Sequence, residues 1–262
     1  MERAAAVIGE GAAIVVDRTP WRPAIRVLEP GTLIAAIGDV HGHADLLEAL
    51  HGALAAEIAA IRPDRAIVVH LGDLVDRGPE NRRTVELART GVAGASTITL
   101  MGNHEERFLA ELVGTDAPHL RWYAMGGREL FAEFDVAPEP GWQAPLRQRF
   151  GPDLVDWLAT APRLHREGPL VFVHAGIDPD RPLAEQDPHT LVWVRETWWH
   201  HPGPYPEDVA VIHGHVPVAE VDLDQARRLA IDTRAHATGV LTALVIDGGR
   251  MCTLATRRVA AA

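Results

Sequence analysis

The chain of 262 residues contains no lysine, so arginine supplies every fixed positive charge. An anion site in such a chain has to be built from guanidinium forks, backbone amides, imidazoles or bound metal ions. Positive charge is also outnumbered, for the formal net charge is -11. Nucleic acids and anionic membranes hold proteins through cationic side chains that neutralise phosphates, so neither is an expected partner. Cys252 is the single cysteine, which excludes an internal disulfide and fits a reducing, cytoplasmic compartment. No apolar run approaches the roughly 20 residues of a membrane helix. The apolar start MERAAAVIGEGAAIVV is interrupted by Glu10, so it does not read as a signal peptide, and a soluble, unprocessed chain is expected. The sequence also lacks an internal repeat or a low-complexity segment.

What is present is an ordinary globular balance, 47% hydrophobic and 23% charged, organised by alternation. Residues 33–37 form a short apolar run halted by GDVHGH, after which Leu46, Leu47, Leu50, Leu54 and Ile58 recur at helical spacing. Residues 66–71, the loop GDLVDRGPEN and a helix over 82–89 repeat the pattern, as do TITL and MGNHEERFLAELV. Three strand–loop–helix units predict an α/β architecture with the polar loops gathered at one sheet edge. Residues 115–168, rich in tryptophan and proline, read as a helical insertion over that edge. The strands PLVFVHAGI, DVAVIHGH, RLAID and VLTALVIDGG then follow with short links, which predicts a more antiparallel second half. Residues 1–32, with Pro20, Pro23 and Pro30, stand as an extension of unassigned structure before one domain over 33–258.

The stretch VVHLGDLVDRGPEN poses a physical question, because an apolar strand ends by crowding Asp73, Asp76 and Arg77 together. A carboxylate is costly to remove from water unless it is paired or bound to a metal. Taken singly, each polar loop has an ordinary explanation: GDVHG as an Asx turn, GNHE as a capped helix start, HGH as two surface imidazoles. Their shared position argues otherwise, since each closes an apolar strand with Asp, Asn or His. The candidate ligands are Asp39, His41, Asp73, Asn103, His174 and His215. Oxygen plus imidazole suits zinc, manganese or iron, and a carboxylate shared by two ions makes a dinuclear centre able to clamp a phosphoryl group.

In this order, GDVHG, GDLVDRG, GNHE, HAG and HGH resemble the motifs of metallophosphoesterases of the phosphoprotein phosphatase type. The blocks WYAMGG, LVWVRE and AIDTRAHATGVLTAL are similar to the bacterial and phage lambda serine/threonine phosphatases, and the resemblance runs over residues 33–246. It implies a β-sandwich of two mixed sheets flanked by helices, with 33–258 as the catalytic domain. It places Asp39 and His41 on one divalent ion, Asp73 between two, and Asn103, His174 and His215 on the second, with manganese expected and iron or zinc as alternatives. It makes His104 the general acid, Asp76 its partner, and Arg77 and Arg195 the phosphate grip. The implied activity is hydrolysis of phosphoserine or phosphothreonine in proteins by metal-bound hydroxide. A dinucleoside polyphosphate hydrolase is the alternative, although in those relatives the aspartate partnering the histidine is commonly replaced. An inactive phosphoprotein reader is a third possibility, against which stands the intact residue set.

Two departures from that pattern are Val216 in GHVP, where a threonine is usual, and Arg234 in DTRA, where a glycine is usual. They bear on the substrate groove rather than on the ligands. His213 is expected behind the ligands, and His43, His70, His200 and His201 away from the chemistry. Trp198 and Trp199 read as core or groove wall, and Glu105 as a first-turn acid favoured by the helix dipole. Chelation is expected to abolish phosphoester hydrolysis and manganese to restore it. Full turnover by protein shown metal-free by elemental analysis would remove the dinuclear reading.

Overall fold

The computed structural model describes residues 2–8, 13–114, 120–201, 203–205 and 207–259. Its strands are β1 (Glu2–Ile8), β2 (Ala13–Arg18), β3 (Arg22–Pro23), β4 (Thr32–Ile37), β5 (Arg65–His70), β6 (Ser96–Thr99), β7 (Leu164–Glu167), β8 (Leu170–Val173), β9 (Ala210–Pro217), β10 (Arg228–Asp232), β11 (Val240–Asp247) and β12 (Arg250–Val259). The helices are α1 (Ala44–Ile61), α2 (Asn81–Thr90), α3 (Asn103–Leu112), α4 (Leu120–Trp122), α5 (Arg128–Glu133), α6 (Gln143–Phe150), α7 (Pro152–Ala159), α8 (Pro188–Trp193), α9 (Glu196–Trp199) and α10 (Ala235–Thr238). A π turn, Tyr123–Gly127, joins α4 to α5.

The three predicted strand–loop–helix units form as β4–α1, β5–α2 and β6–α3, and their strands pair in parallel. All six residues of β4 are buried, as a parallel strand covered on both faces requires. Its side chains alternate: Leu33, Ala35 and Ile37 face the helices, whereas Ile34 and Ala36 face the second sheet. Along α1 the expected Leu46, Leu47, Leu50, Leu54 and Ile58 are the buried stripe, each contributing roughly 1.5–3 kcal/mol by leaving water. The first sheet has eight strands, ordered β1-β2-β12-β11-β4-β5-β6 with β3 beside β12; the second has four, ordered β10-β9-β8-β7. Phe172, Ile212 and Ile231 of the second sheet pack on Ile67, Val69 and Leu244 of the first. The result is the expected sandwich of two mixed sheets flanked by helices.

Several expectations are refined. The second half is mostly antiparallel, as β11 and β12 show in the first sheet, but in the second sheet β9 runs parallel to both β8 and β10. Only β7–β8 is antiparallel there, while β11 and β12 return to the first sheet. Residues 13–18, within the segment of unassigned structure, form β2 and pair with β12; a partner so distant in sequence leaves no local signal. The helical run over the sheet edge ends at Ala159, and β7 follows at Leu164–Glu167. Residues 115–119, where the expected insertion begins, and residues 9–12, with Glu10, lie outside the described residues. Among the described residues no helix is long and apolar enough to cross a membrane, and Cys252 is free and buried.

His70, set aside as a strand residue, ends β5 in a buried pair. Its Nε2 lies 2.9 Å from His51 Nε2, and its Nδ1 lies 3.2 Å from Thr99 Oγ1. One ring donates and the other accepts, so a second proton between the two Nε2 atoms has no acceptor. Burial pushes His51 down to about 4 and His70 down to about 3, with His51's charge adding to the effect. The unfolded chain takes protons near 6.5, which the folded pair refuses. The pair's contribution to stability is therefore complete above pH 6.5 and is lost as pH falls through about 4. His51 alone accounts for on the order of 3 kcal/mol at the acid limit. His51→Gln is expected to flatten the acid limb of the stability curve measured by urea denaturation; an unchanged slope would exclude the pair.

Candidate metal centre and phosphate site

Parallel pairing delivers the loops after β4, β5 and β6 to one edge, and the second sheet brings His174, just after β8, and His215, near the end of β9, to the same place. The backbone there is forced. His41 (φ 50°), Asp73 (φ 51°), Asp76 (φ 70°), Arg77 (φ 68°) and His215 (φ 59°) all lie in the left-handed region. Such a conformation costs a non-glycine residue roughly 1–2 kcal/mol, so the surroundings have to impose it.

Glu105 imposes much of it. Its Oε2 accepts from the amides of Asp73 at 2.7 Å and Gly102 at 2.9 Å, and its Oε1 from Leu74 at 2.7 Å and Val75 at 3.0 Å. Gly102 has to be glycine, because a Cβ there would collide with the Asp73 amide and carboxylate. Burial and the charge of Asp73 push Glu105 up to about 7, against the pull of the amides. The sequence reading gave Glu105 only a dipole role. The GNHE motif is the local signal, but three of the four amides belong to a loop 30 to 32 residues away.

Two of the imidazoles are fixed by their rear nitrogens. His41 Nδ1 lies 2.9 Å from the Val75 carbonyl and His174 Nδ1 lies 2.9 Å from the Leu71 carbonyl. Donation from Nδ1 to a carbonyl leaves Nε2 as the lone pair, the arrangement a metal needs. His41 Nε2 faces Asp73 Oδ2 at 3.5 Å, and His174 Nε2 faces Asp73 Oδ1 at 3.3 Å and Asn103 Oδ1 at 2.9 Å. The two oxygens of one carboxylate thus address different histidines.

Two groups have donor atoms within 4.8 Å of one another: His41, Asp73 and His104, and Asp73, His174 and His215. Asp39, expected with His41 on one ion, also accepts the His215 amide at 3.2 and 3.1 Å, and His104, expected as the acid, stands with His41 and Asp73 in the first group. Burial, then Asp232 and Asp73, push Asp39 well above the ordinary carboxylate range. Asp232, inside AIDTRA and without a role by sequence, is a further buried carboxylate here. Concentrated buried carboxylates and outward imidazole lone pairs make a donor set that fits two divalent cations sharing Asp73.

Beside it, His104 Nδ1 bonds Asp76 Oδ2 at 2.6 Å, and the same oxygen accepts from Trp122 Nε1 at 3.0 Å. Asp73, then Asp76, outweigh burial and raise His104. Arg77 donates from one guanidinium nitrogen to His104 Nε2 at 2.9 Å, and another lies 3.4 Å from His236 Nε2. The Arg77 amide donates to the Gly126 carbonyl at 3.0 Å. Gly126 (φ 131°) has no room for a Cβ against Arg77. The WYAMGG turn therefore braces both Asp76 and Arg77, a role that its sequence does not declare. Arg195 donates to His215 Nε2 at 3.1 Å. All the expected site residues converge.

His213 is buried and accepts from Trp198 Nε1, and Trp198 is core. Arg234 takes the left-handed φ of 56° that a glycine adopts freely, and points to solvent. Val216 lines a separate cavity behind the second sheet with Trp199 and Arg228. Another cavity, of about 210 Å³, opens on His104 between Trp122, Met125, Trp193, Arg107 and Arg121.

A family model for calcineurin-like phosphoesterases matches residues 32–240. The symmetrical bis(5'-nucleosyl)-tetraphosphatase of Methylococcus capsulatus is 31% identical over 147 residues, 56% of this chain and 44% of that protein. The chain thus spans less than half of that relative's length. The asymmetrical bis(5'-nucleosyl)-tetraphosphatase PrpE of a Geobacillus species is 27% identical over 231 residues, 80% of this chain and 89% of that protein. A solved structure described as a candidate diadenosine tetraphosphatase aligns with a TM-score of 0.58 at 21% identity, covering 88% of this chain and 96% of that one. Its likeness is one of fold.

Glu105→Ala is expected to strand buried amides at about 1–3 kcal/mol each and to lower manganese affinity as the Asp73 loop relaxes. Urea denaturation and metal titration check both, and unaltered metal affinity would confine Glu105 to stability.

Proposed function

The chain belongs to the calcineurin-like phosphoesterase family, and we propose that within it this protein hydrolyses a dinucleoside polyphosphate such as diadenosine tetraphosphate. The observation that carries this choice is the cavity beside His104, whose walls combine Trp122, Trp193 and Met125 with Arg107 and Arg121. Aromatic and thioether faces suit a base, and guanidinium forks suit its phosphates. The PrpE relative, matched over 89% of its length, supports the same substrate class. The order of preference drawn from the motifs, with phosphoserine and phosphothreonine proteins first, is reversed.

In this reading Asp39, His41, Asp73, Asn103, His174 and His215 would hold two divalent ions, with manganese first in expectation. When bound, the ions supply Lewis-acid charge to the phosphoryl oxygens and make a water acidic. The remaining work falls to side chains. Arg77 and Arg195 fork onto the non-bridging oxygens as their charge grows, where preorganised donors act most strongly. His104 is held by Asp76, and Trp122 holds Asp76, so the Nε2 edge stays aimed at the departing oxygen. Arg77 donates to that same Nε2, so the two have to part when Nε2 carries the proton it gives.

A second reading, hydrolysis of phosphoserine or phosphothreonine in proteins, is favoured by that intact His104–Asp76 pair. An alkoxide leaves only with a proton, whereas a departing polyphosphate needs less help. An inactive reader is disfavoured, because acid, clamp arginines and donor set are all retained.

The metal-loaded protein is expected to hydrolyse diadenosine tetraphosphate at least about tenfold more efficiently than a phosphoserine peptide by specificity constant. His104→Ala should damage the peptide reaction more. The opposite order of specificity constants would return the protein-phosphatase reading to first place.

A further inference from the structure

We infer that the cavity beside His104 is the subsite for the departing nucleotide, and that Trp193 is the surface on which its base stacks. The inference rests on the dinucleoside polyphosphate reading and says which half of the substrate lies where. A residue that protonates a leaving oxygen has to face it, so the leaving group lies on the His104 side of the transferred phosphoryl group. The cavity shares its wall with Asn103 and His104, at the edge of the donor cluster. Its volume of about 210 Å³ is below the roughly 300–1,000 Å³ that encloses a drug-sized ligand. It suits one nucleoside end and leaves the other half of the substrate in solvent.

Trp193 is prepared for stacking before any ligand arrives. Its Nε1 donates to Glu106 Oε2 at 2.6 Å, and Glu106 is held in turn by Arg163 at 2.8 Å. One face is covered by His189, with ring centroids 5.8 Å apart and planes 14° from parallel. A preorganised ring loses little freedom on binding. Met125, which lines the same cavity, is 39% exposed, one of four large hydrophobic residues so exposed among the described residues. A thioether adapts to a flat apolar partner. Arg107, paired with Glu111 at 2.8 Å, and Arg121 bring positive charge to this mouth of a chain whose net charge is -11. An extended peptide leaving group would have little use for a cavity of this shape.

The test uses the manganese-loaded protein with p-nitrophenyl phosphate as reporter substrate and compares competitive inhibition by ATP and by inorganic tripolyphosphate, with metal in excess over both. The two inhibitors share the phosphate chain and differ in the nucleoside. ATP is expected to bind at least about tenfold more tightly, the gain that one stacked base supports. In Trp193→Ala the ratio of the two inhibition constants should shrink to below about twofold, while Trp193→Phe keeps most of it. Met125→Asp should narrow it as well, which covers the case of a poorly folded Trp193→Ala. ATP no tighter than tripolyphosphate, or a ratio untouched by Trp193→Ala and Met125→Asp, overturns the subsite. Failure of the substrate reading looks different: diadenosine tetraphosphate is then not hydrolysed, although the ATP preference persists.

Discussion

Glu105 is the contact on which the rest of the site depends. One buried carboxylate gathers the amides of Gly102, Asp73, Leu74 and Val75, and so joins the loop after β5 to the start of α3. That junction holds Asp73 in a left-handed conformation and lets its oxygens face His41 on one side and His174 on the other. Val75, bound through its amide, offers its carbonyl to His41. A single acid thereby sets the position of the bridging carboxylate and, one step removed, the orientation of an imidazole on the neighbouring loop.

The second constraint is electrostatic. Asp39, Asp73 and Asp232 are all nearly excluded from solvent. The chain has no lysine, and Arg77, engaged with His104 and His236, opposes the rise of Asp39 less than burial and the acidic neighbours promote it. Asp39 answers by moving well above its ordinary range, from burial first and its acidic neighbours second. Divalent cations relieve the same cost by direct ligation. The overall acidity of the chain and the make-up of its site are consequences of one composition.

The two substrate classes differ at the leaving group, and the structure carries features that bear on each. The His104–Asp76 pair, braced by Trp122, is what a poor leaving group would require. The aromatic cavity next to it is what the proposed flat, charged one would require. Trp122 touches both features, with its N–H on Asp76 and its ring, packed on Phe131 and Trp142, at the cavity wall.

The sequence by itself determined the β4–α1, β5–α2 and β6–α3 units and the identity of the side chains that meet at their ends. Those signals are local: apolar periodicity, glycine at the turns, and Asp, Asn or His at strand termini. It could not determine contacts whose two halves are written far apart. Residues 13–18 find β12 across most of the chain, Asp39 takes the amide of His215 rather than standing only beside His41, and β9 lies parallel to its neighbours where short links predicted an antiparallel run. Glu105 was legible as a helix-start acid and Trp122 as an aromatic in a helical insertion. Only the tertiary structure made the first an anchor for a distant loop and the second a donor to Asp76, because a hydrogen bond depends on where two chain segments meet and local residue order does not record it.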